Sequence, residues 1–494
     1  MSIIGLEFCD AGLQVARETE SGPEVIDLGG GETGWPAVAC LDGDTFRYGS
    51  EAEGMWFTHP RAVSHLFLEK LSHEGSELTG KNGAALSFSQ LAFYFLRDYA
   101  KRIGARSGPS EKIVLAVPGR FLRDNSTEEQ TIGLLLGMAS ELKLPLVRII
   151  DMGCAALGGA AARELPRGSP VLHVDVHLHA AEIAVYRQET QLVRRHYHHV
   201  PQTGYAPILR HLKNAMGNRF LRHTAFDIHE DRRLEQAFYQ QTKDFLLGPG
   251  RLEKEFLYQI NTGRRSYQMP VTRAQLAADM QGFDQTLVTH VTSVAHEQGL
   301  SPARCVVSLT DRAARLEGLE AKLRSAGFNR ILRLRPGAAA MGAAALGNDW
   351  PLVSDLSDVP VEASVPLTLA SAHELPVEAN LVRPSSLDGR PAPSHVIVDG
   401  IGRPIGENGL LIGTRHTHSQ VDVSLPESFD AVGDYAVRVS RDGSRIRFEL
   451  PAGGTALAPV DLVAGDRLCL IGAGQATEIL LASCPASVNG RSSA

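Results

Sequence analysis

Several features that would assign this chain to a common functional class are missing from its 494 residues. The six cysteines are scattered without CxxC spacing, which disfavours a zinc framework or disulfide-stabilised fold and favours a reducing compartment. The net charge of −7 provides no basic field for nucleic acid or an anionic membrane. No apolar run approaches the roughly 18 residues of a membrane span, and Met1–Phe8 has the pattern of a strand and not of a signal peptide. The sequence therefore predicts a cytoplasmic protein without a nucleic-acid partner.

What is present falls into four segments. Residues 1–348 alternate strand-like and helix-like patterns, which is typical of α/β layers. Residues 349–392 are rich in Pro, Ser, Val and acids and predict a linker or an extended lead-in. Residues 393–486 alternate short apolar strands with Gly, Pro and Asp turns, which predicts a small antiparallel β-sandwich, and residues 487–494 form a polar tail.

Periodicity places the main elements of the first segment. The predicted strands are Ile3–Phe8, Lys112–Val117, Val147–Asp151, Val171–Val176, Glu182–Arg187 and Cys305–Leu309, and the predicted helices are Ser89–Ile103, Glu128–Leu142, Asp227–Leu247 and Thr272–Gln298. Strands separated by helices favour a layered fold with parallel strands.

One strand–turn–strand segment, Val171–Tyr186, is the most informative motif. Asp175 lies at the end of an apolar strand, and His177, Leu178 and His179 precede the next apolar run. The segment resembles the phosphate-binding turn of sugar kinases, actin and DnaK-type ATPases, in which glycines let backbone N–H groups contact phosphate. Side chains in place of these glycines fill the space that a phosphate needs.

The resemblance to DnaK-type heat-shock chaperones covers about residues 1–347 and rests on the order of several motifs. The matching segments are Gly5–Gly12, Ala116–Phe121, Leu146–Leu157 and Pro336–Ala345. It implies an α/β actin-like (ribonuclease-H-like) two-lobed ATPase domain, followed here by a small all-β sandwich. Small residues at Ala155–Ala156 are expected to let two helices cross closely.

The resemblance also locates a nucleotide site whose residues are mostly substituted. The positions that match it are Glu7, Asp10, Asp175, His177, His179, Gly204, Thr310 and Gly342. It implies that Glu7 and Asp175 are the candidate magnesium ligands, with ATP or ADP as the cofactor. An acid at a strand end also commonly caps a turn, and the carboxylate of Asp10 in the first phosphate loop would repel phosphate. We therefore expect binding of nucleotide and Mg²⁺ to be weak or lost.

A catalytic lysine is also missing from its expected place. Alignment of Leu66–Leu71 puts Leu68 or Glu69 at the family's lysine, with Lys70 out of phase. The GxxxxGK spacing at Gly75–Lys81 is a chance match to a P-loop, because Asn82 follows it and no apolar strand leads into it.

Histidines support a different hypothesis. His173, Asp175, His177 and His179 alternate along the chain, which predicts one shared face, and His196 and His198 are expected on a nearby strand. Such a face could bind zinc or respond to pH. The alternative, which we favour, is that these side chains fill the vacated phosphate cavity and hydrogen-bond one another.

The C-terminal segment from His395 weakly resembles a forkhead-associated (FHA) sandwich. The matching segments are Leu411–Thr414, Asp422–Pro426 and Val463–Gly472. The arginine that reads phosphothreonine in that family is Thr414 here, or is displaced to Arg415, and its Ser-Arg-x-His segment is replaced near Gly433–Ala436. A protein-binding sandwich is therefore expected, and phosphopeptide recognition is disfavoured.

These observations give three functional hypotheses. The leading one is a DnaK-like pseudo-ATPase that acts as a regulatory or interaction scaffold and contacts a protein partner through its C-terminal sandwich. The alternative is an ATP-binding, chaperone-like protein with divergent phosphate loops. The third is a metal or pH sensor based on the histidines.

Overall fold

The computed structural model describes most of the chain, and its contacts divide the chain into two compact units. Unit 1 comprises Met1–Leu165 and Pro170–Thr368, and unit 2 comprises Pro166–Ser169 and Leu369–Ala494. The described residues are 3–19, 22–27, 34–43, 45–72, 75–79, 85–104, 112–122, 125–160, 165, 168–188, 191–248, 254–263, 265–347, 359–366, 378–383, 391–398, 401–406, 409–413, 421–425, 436–442, 445–449, 462–472 and 475–483. The predicted polar tail, 487–494, lies outside them.

Unit 1 is mixed α/β. Its strands are β1 (Ile3–Glu7), β2 (Gln14–Thr19), β3 (Gly22–Val25), β4 (Ala39–Asp42), β5 (Thr45–Tyr48), β6 (Val63–Ser64), β7 (Ser76–Thr79), β8 (Ala85–Ser87), β9 (Lys112–Val117), β10 (Leu146–Asp151), β11 (Val171–Val176), β12 (Ala180–Gln188), β13 (Gln191–Pro201), β14 (Glu255–Asn261), β15 (Ser266–Thr272), β16 (Val306–Leu309), β17 (Arg330–Arg333), β18 (Val361–Glu362) and β19 (Ser364–Pro366).

Its helices are α1 (Gly49–Glu53), α2 (Phe88–Gly104), α3 (Asn125–Glu141), α4 (Met152–Ala155), α5 (Tyr205–Thr224), α6 (Arg232–Leu246), α7 (Arg273–Glu297), α8 (Asp311–Ala314), α9 (Leu319–Ser325) and α10 (Ala338–Gly347). Short 3₁₀ turns and one π-helical turn lie at Gly119–Leu122, Ala156–Ala160, Ile228–Glu230 and Pro302–Arg304.

Two six-stranded sheets in the described part of unit 1 share the topology of five of their strands, and the sixth strands, β18 and β19, are added at opposite sides. The orders are β18-β10-β9-β1-β2-β3 and β17-β16-β11-β12-β13-β19. In each, three consecutive strands form an antiparallel meander, and two later strands extend the sheet in parallel from the first strand of that meander. The first strands, β1 and β11, thus hold the same position in their sheets. Glu7 ends β1 and Asp175 lies one residue before the end of β11.

The predicted strands are confirmed to within two residues at each end. Lys112–Val117 and Val171–Val176 match their predictions, because these strands are almost wholly buried and their apolar runs are continuous. The prediction of one helix over Asp227–Leu247 is wrong at its start. Asp231 accepts a hydrogen bond from the Arg233 backbone N–H and caps a new helix there, separate from the preceding 3₁₀ turn.

Residues 359–366, inside the predicted linker, belong to both sheets of unit 1. β18 pairs in parallel with β10, and β19 pairs antiparallel with β13. Between them, the carbonyl oxygen of Ala363 accepts hydrogen bonds from the Arg194 N–H at 3.1 Å and from Cys154 Sγ at 3.2 Å. The linker prediction is therefore wrong for this stretch, which joins the outer strands of the two sheets.

Helix α10 packs very closely on β1 and on the π-helical turn. A Cβ placed on Gly5 would lie 1.9 Å from the Ala340 carbonyl oxygen, and one on Gly159 would lie 2.5 Å from the Gly342 Cα. Ala155 and Ala156 are buried beside this contact, together with Ala339 and Ala343. The expected close helix crossing is present, and Gly342 contributes to it by packing.

Unit 2 contains two sheets that share one apolar core. The strands are β20 (Glu378–Val382), β21 (His395–Val398), β22 (Ile401–Pro404), β23 (Leu410–Gly413), β24 (Val423–Ser424), β25 (Ala436–Asp442), β26 (Arg445–Glu449), β27 (Arg467–Gly472) and β28 (Gln475–Ala482). They form sheets of order β20-β27-β28-β21-β22 and β24-β23-β25-β26. Val396 and Ile479 of the first sheet share a buried cluster with Ile412 and Val437 of the second. A predominantly antiparallel sandwich results, in which β23 and β24 are a parallel pair.

Among the described residues, no helix combines the length and the apolar character that crossing a membrane would require.

The close contact of β1 with α10 generates a stability prediction. Gly5→Ala should lower the free energy of unfolding by about 3 kcal/mol, because the new methyl group meets helix backbone that has no rotamer to adopt. Urea denaturation followed by circular dichroism measures this. Gly133→Ala, on α3 with open space at its Cβ, is the control and should change stability by no more than about 1 kcal/mol, in the stabilising direction. Equal stability of the two variants would contradict the packing described.

Candidate functional site

The two candidate magnesium ligands meet at the centre of unit 1, and an arginine bridges them. Arg312 Nη1 donates to Glu7 Oε1 at 2.6 Å, while its Nε and Nη2 donate to the two oxygens of Asp175 at 3.1 and 2.8 Å. Both carboxylates are buried, at 2% and 3% exposure. A guanidinium matches a carboxylate in this two-bond geometry, so the chain supplies its own cation between these acids.

The N-terminal cap of α8 orients Arg312 toward the two carboxylates. Thr310 follows β16 and caps α8 by accepting the Ala313 N–H at 3.2 Å, which places Arg312 in the first turn of the helix. The Thr310 hydroxyl also donates to Asp175 Oδ1 at 2.7 Å. Burial alone would raise the pKa of Asp175, but Arg312 and His177 outweigh it and hold that pKa far below its ordinary value. Asp175 is therefore a structural anion in this arrangement.

A second ionic group lies beside the first and is centred on Arg120. Its guanidinium contacts Glu182 at 2.9 Å, Glu69 at 3.4 Å and Asp10 at 3.7 Å. Glu182 also accepts the Gly119 backbone N–H at 3.0 Å. Arg120, which lies in the segment Ala116–Phe121, is thus a cation that three acids share.

His177 lies between the two groups. Its Nδ1 is 3.6 Å from Asp10 Oδ1, and its Nε2 is 3.7 Å from Asp175 Oδ2 and 3.6 Å from Glu182 Oε2. Burial would lower the pKa of His177, but the carboxylates of Asp175 and Glu182 raise it well above its ordinary value. The imidazole therefore carries a proton in this environment and adds a third cation to the acidic centre.

Neither residue that the sequence places at the family's lysine is a cation. Glu69 faces Arg120 and lies 3.6 Å from His199 Nε2, Leu68 is buried, and Lys70 is exposed. In the register that puts Glu69 at the lysine position, its carboxylate would repel the terminal phosphate that a lysine attracts.

The turn of residues 177–179 occupies the start of α5. The backbone N–H of Tyr205 donates to the His177 carbonyl at 2.9 Å, and that of Ala206 donates to the Leu178 carbonyl at 2.7 Å. Gly204, the N-cap of α5, packs so tightly on this turn that a Cβ would lie 2.5 Å from the His179 backbone. The helix N-terminus, a common anion site, is therefore satisfied by the chain itself.

His196 and His198 lie on β13, in the same sheet as β11, as expected, but on the other side of that sheet from Asp175. Residues paired across an antiparallel ladder point to the same side of a sheet, and the register pairs Asp175 with Glu182 and Glu182 with His199. His199, not His196 or His198, therefore shares the face of Asp175. The predicted pair occupies alternate positions on the opposite side.

The remaining histidines form separate pairs. His179 Nε2 lies 3.2 Å from His65 Nδ1, and the two rings stack at 4.9 Å, with Trp56 stacked on the other side of His65 at 4.3 Å. His198 Nε2 lies 3.0 Å from His290 Nδ1 on α7. His173 lies 3.4 Å from the Ser308 hydroxyl. With His177 between the two ionic groups, the histidines therefore lie in four separate local environments and do not form the single face that the sequence predicted.

A cleft of about 290 Å³ opens beside the Glu7–Arg312–Asp175 bridge. Its lining includes Thr310 and four cationic side chains, Lys243, Arg312, Arg315 and Arg335. Lys243 pairs with Glu53, and Arg315 pairs with Asp311. The volume is near the lower end of the roughly 300–1,000 Å³ of small-molecule sites. Gly342 is not among the residues that line it.

Comparison with known proteins adds no family. No model of a known protein family matches the chain, and no curated protein is significantly similar to it in sequence. The functional argument therefore rests on the chain's own residues and geometry.

The described part of unit 2 contains little of the predicted phosphothreonine site. Thr414, Arg415 and 433–435 lie outside the described residues. The Asp422 side chain accepts the Leu411 backbone N–H at 2.7 Å, and buried Asp466 accepts the Val463 N–H at 3.0 Å. These two acids of the FHA-like segments therefore stabilise the local backbone of unit 2.

Sequence reasoning missed the residues that organise the site. Arg120 and Glu182 lie within segments that the sequence predicts as a motif and a strand, Arg312 follows the predicted strand Cys305–Leu309, and Glu69 is a candidate substitution; none of them is predicted as a site residue. One signal was available, since an acidic strand-end residue, Asp175, together with Glu7 and Asp10 requires compensating cations when buried. Which cations reach them depends on contacts between residues more than 60 positions apart.

The arginine bridge generates the first prediction for the site. Arg312→Met should lower the free energy of unfolding by about 3–5 kcal/mol, because Glu7 and Asp175 would remain buried without their cation. Adding Asp175→Asn to Arg312→Met should recover part of the loss in a double-mutant cycle. Arg324→Met, at a half-exposed helix pair, is the control and should change stability by less than about 0.5 kcal/mol. No recovery in the double variant would argue against the bridge.

Glu182 provides a pH prediction. Burial opposes its ionisation, but His177 and Arg120 outweigh burial and lower its pKa from 4.5 to about 2. The stabilisation is therefore complete above pH 4.5 and is lost as the pH falls toward 2. Glu182→Gln should lower the free energy of unfolding by up to about 3 kcal/mol at pH 7, and the difference from wild type should shrink between pH 4.5 and 3.

Urea titrations at pH 7, 4.5 and 3 measure that difference. Glu51→Gln, at a largely exposed side chain, is the control and should be nearly neutral at each pH. A difference for Glu182→Gln that is equal at pH 7 and pH 3 would show that charge is not its cause.

Proposed function

We propose that unit 1 is a DnaK-like domain of the actin-like fold that no longer hydrolyses ATP, and that the protein is a cytoplasmic regulatory or interaction scaffold. The observation that carries this proposal is the Arg312 guanidinium between Glu7 and Asp175. In the DnaK-type ATPases that the sequence resembles, the residues at these positions hold hydrated magnesium. Here the guanidinium of Arg312 takes the place of the exchangeable magnesium ion.

The topology of unit 1 supports the proposed fold. Each six-stranded sheet contains an antiparallel meander extended by two parallel strands, and the repeats bring the ends of β1 and β11 together. Two acids from equivalent strands at one centre are the arrangement that a two-lobed phosphate-transferring domain needs.

Energetics supports the loss of hydrolysis. Magnesium–ATP could reach Glu7 and Asp175 only if Arg312 left, and breaking a buried ion pair costs about 3–5 kcal/mol before any ligand contact forms. Glu69 adds negative charge near the position where the family has a lysine, and the α5 N-terminus already binds the carbonyls of its own turn. Each change removes a different contribution to phosphate binding.

We also propose that unit 2 binds the protein partner. Its two sheets form an independent sandwich with its own buried core, and a sandwich of this size presents sheet edges and turns to a partner. The loops that would define specificity in an FHA-like domain do not carry the expected arginine at Thr414.

A second candidate function is binding of an anionic small molecule, such as a nucleotide, without hydrolysis. Arg335 favours it, because this cation lines a cavity next to the bridge. Lys243 and Arg315 also line the cavity and are paired there with the acids Glu53 and Asp311. Such a ligand would use the cleft and leave Arg312 in place.

Thermal unfolding with Mg²⁺–ATP tests the proposal. The pseudo-ATPase should show no change in Tm at 1 mM nucleotide and no steady-state phosphate release above a Glu7→Gln/Asp175→Asn variant. A ligand with a Kd of 10 µM would stabilise the fold by about 2.7 kcal/mol at this concentration, which corresponds to a shift of several degrees.

Two outcomes separate the candidates. A rise in Tm with ATP and ADP, without phosphate release, would support the anion-binding function and show that the cleft is used. A rise accompanied by hydrolysis that Asp175→Asn abolishes would overturn the pseudo-ATPase proposal. Lys243→Gln is the matched control variant, because it changes a side chain that lines the cleft and leaves the ion pairs of Arg312 with Glu7 and Asp175 intact.

A further inference from the structure

Three metal-ligating side chains converge beside the arginine bridge. Cys9 Sγ, a carboxylate oxygen of Asp10 and a ring nitrogen of His177 all lie within 4.8 Å of one another. All three residues are essentially inaccessible to solvent, at 0%, 0% and 1% exposure. Cys9 and Asp10 follow β1, and His177 follows β11, so equivalent strand ends of the two sheets contribute the set.

Three polar atoms of this set have no hydrogen-bond partner among the described residues, whereas Asp10 Oδ1 accepts the Leu178 backbone N–H and Cys9 Sγ donates to the Gly12 carbonyl oxygen. Within the part of the chain that the structure describes, Asp10 Oδ2 and both ring nitrogens of His177 are buried and unpaired. The carboxylate oxygens nearest to the imidazole, at 3.6–3.7 Å, are beyond hydrogen-bond distance. A buried polar atom left unpaired costs about 1–3 kcal/mol, so three at one point indicate a missing partner.

The charge around the set favours a cation as that partner. Five carboxylates face this centre, those of Glu7, Asp10, Glu69, Asp175 and Glu182, whereas the cations among the described contacts are Arg120, Arg312 and the protonated His177. The excess of negative charge favours a cation over an anion as the partner. A doubly charged ion that displaces the imidazole proton and the thiol proton leaves the total charge unchanged.

We propose that Cys9, Asp10 and His177 bind one divalent transition-metal ion of the Zn²⁺ type, with a water molecule as the fourth ligand. Thiolate and imidazole together select zinc over magnesium, which prefers oxygen ligands alone. Ligand atoms around tetrahedral zinc lie about 3.3–3.6 Å apart, so the present set must contract by about 1 Å. Binding releases the thiol proton and any imidazole proton to solvent, and the ion is neither oxidised nor reduced.

This site differs from the predicted nucleotide site in its chemistry, although Asp10 and His177 belong to both. Its ligands include a thiolate and do not include the candidate magnesium ligands Glu7 and Asp175, and it requires no phosphate. The ion would join the ends of β1 and β11 directly, so that metal binding stabilises the association of the two sheets.

Metal content and spectroscopy of the full-length protein test the proposal. Wild type incubated with Zn²⁺ and then desalted should retain about one equivalent of zinc, and Co²⁺ in its place should show thiolate-to-cobalt charge-transfer absorption. Cys9→Ser and His177→Gln should each weaken zinc binding at least about tenfold. Cys40→Ser, at another buried free cysteine of unit 1, is the matched control and should retain the metal.

X-ray absorption at the zinc edge of wild type keeps the test decisive if a variant does not fold. One sulfur at about 2.3 Å and nitrogen or oxygen ligands at about 2.0 Å support the site. A protein that retains no zinc, a zinc shell without sulfur, or equal zinc affinity in wild type and Cys9→Ser overturns the proposal. The last result would show binding elsewhere on the chain.

Discussion

The Arg312 guanidinium between Glu7 and Asp175 is the interaction on which the centre of unit 1 depends. Two carboxylates buried at neighbouring strand ends repel each other and lose their hydration, so they persist as anions only with a cation between them. In a nucleotide-dependent domain that cation would arrive with the ligand. Here it belongs to α8, which places a side-chain cation between the two acids where the ends of β1 and β11 meet.

The duplicated topology explains why the charges meet at all. Because β1 and β11 occupy the same place in equivalent sheets, their carboxyl ends face one another, and the residues that follow each strand share one small volume. Close crossing of α10 over Gly5 and the pairing of residues 359–366 with an outer strand of each sheet reinforce this arrangement. The position of the ionic centre therefore follows from the backbone architecture. His177, in the turn between β11 and β12, adds a further cation to it.

Much of the fold could be predicted because its determinants are local. Lys112–Val117 and Val171–Val176 are continuous apolar runs, which buried parallel strands require. The helix prediction failed at Asp231, where a capping side chain interrupts an amphipathic pattern that continues across it. Residues 361–366 were predicted as a linker because strands of two or three residues carry too short a pattern to be recognised.

For the candidate site, the sequence by itself determined that His177, Leu178 and His179 follow Asp175 closely, where no glycine stands, and that Leu68 and Glu69 precede Lys70, since these are matters of residue identity. Only the tertiary structure decided that Arg312 bridges the two acids, that Arg120 neutralises Glu182, and that His199 shares the face of Asp175 in place of His198. The reason is physical. Strand register reverses a face with a shift of one residue, and a long arginine reaches partners that only the assembled sheets bring within 3 Å.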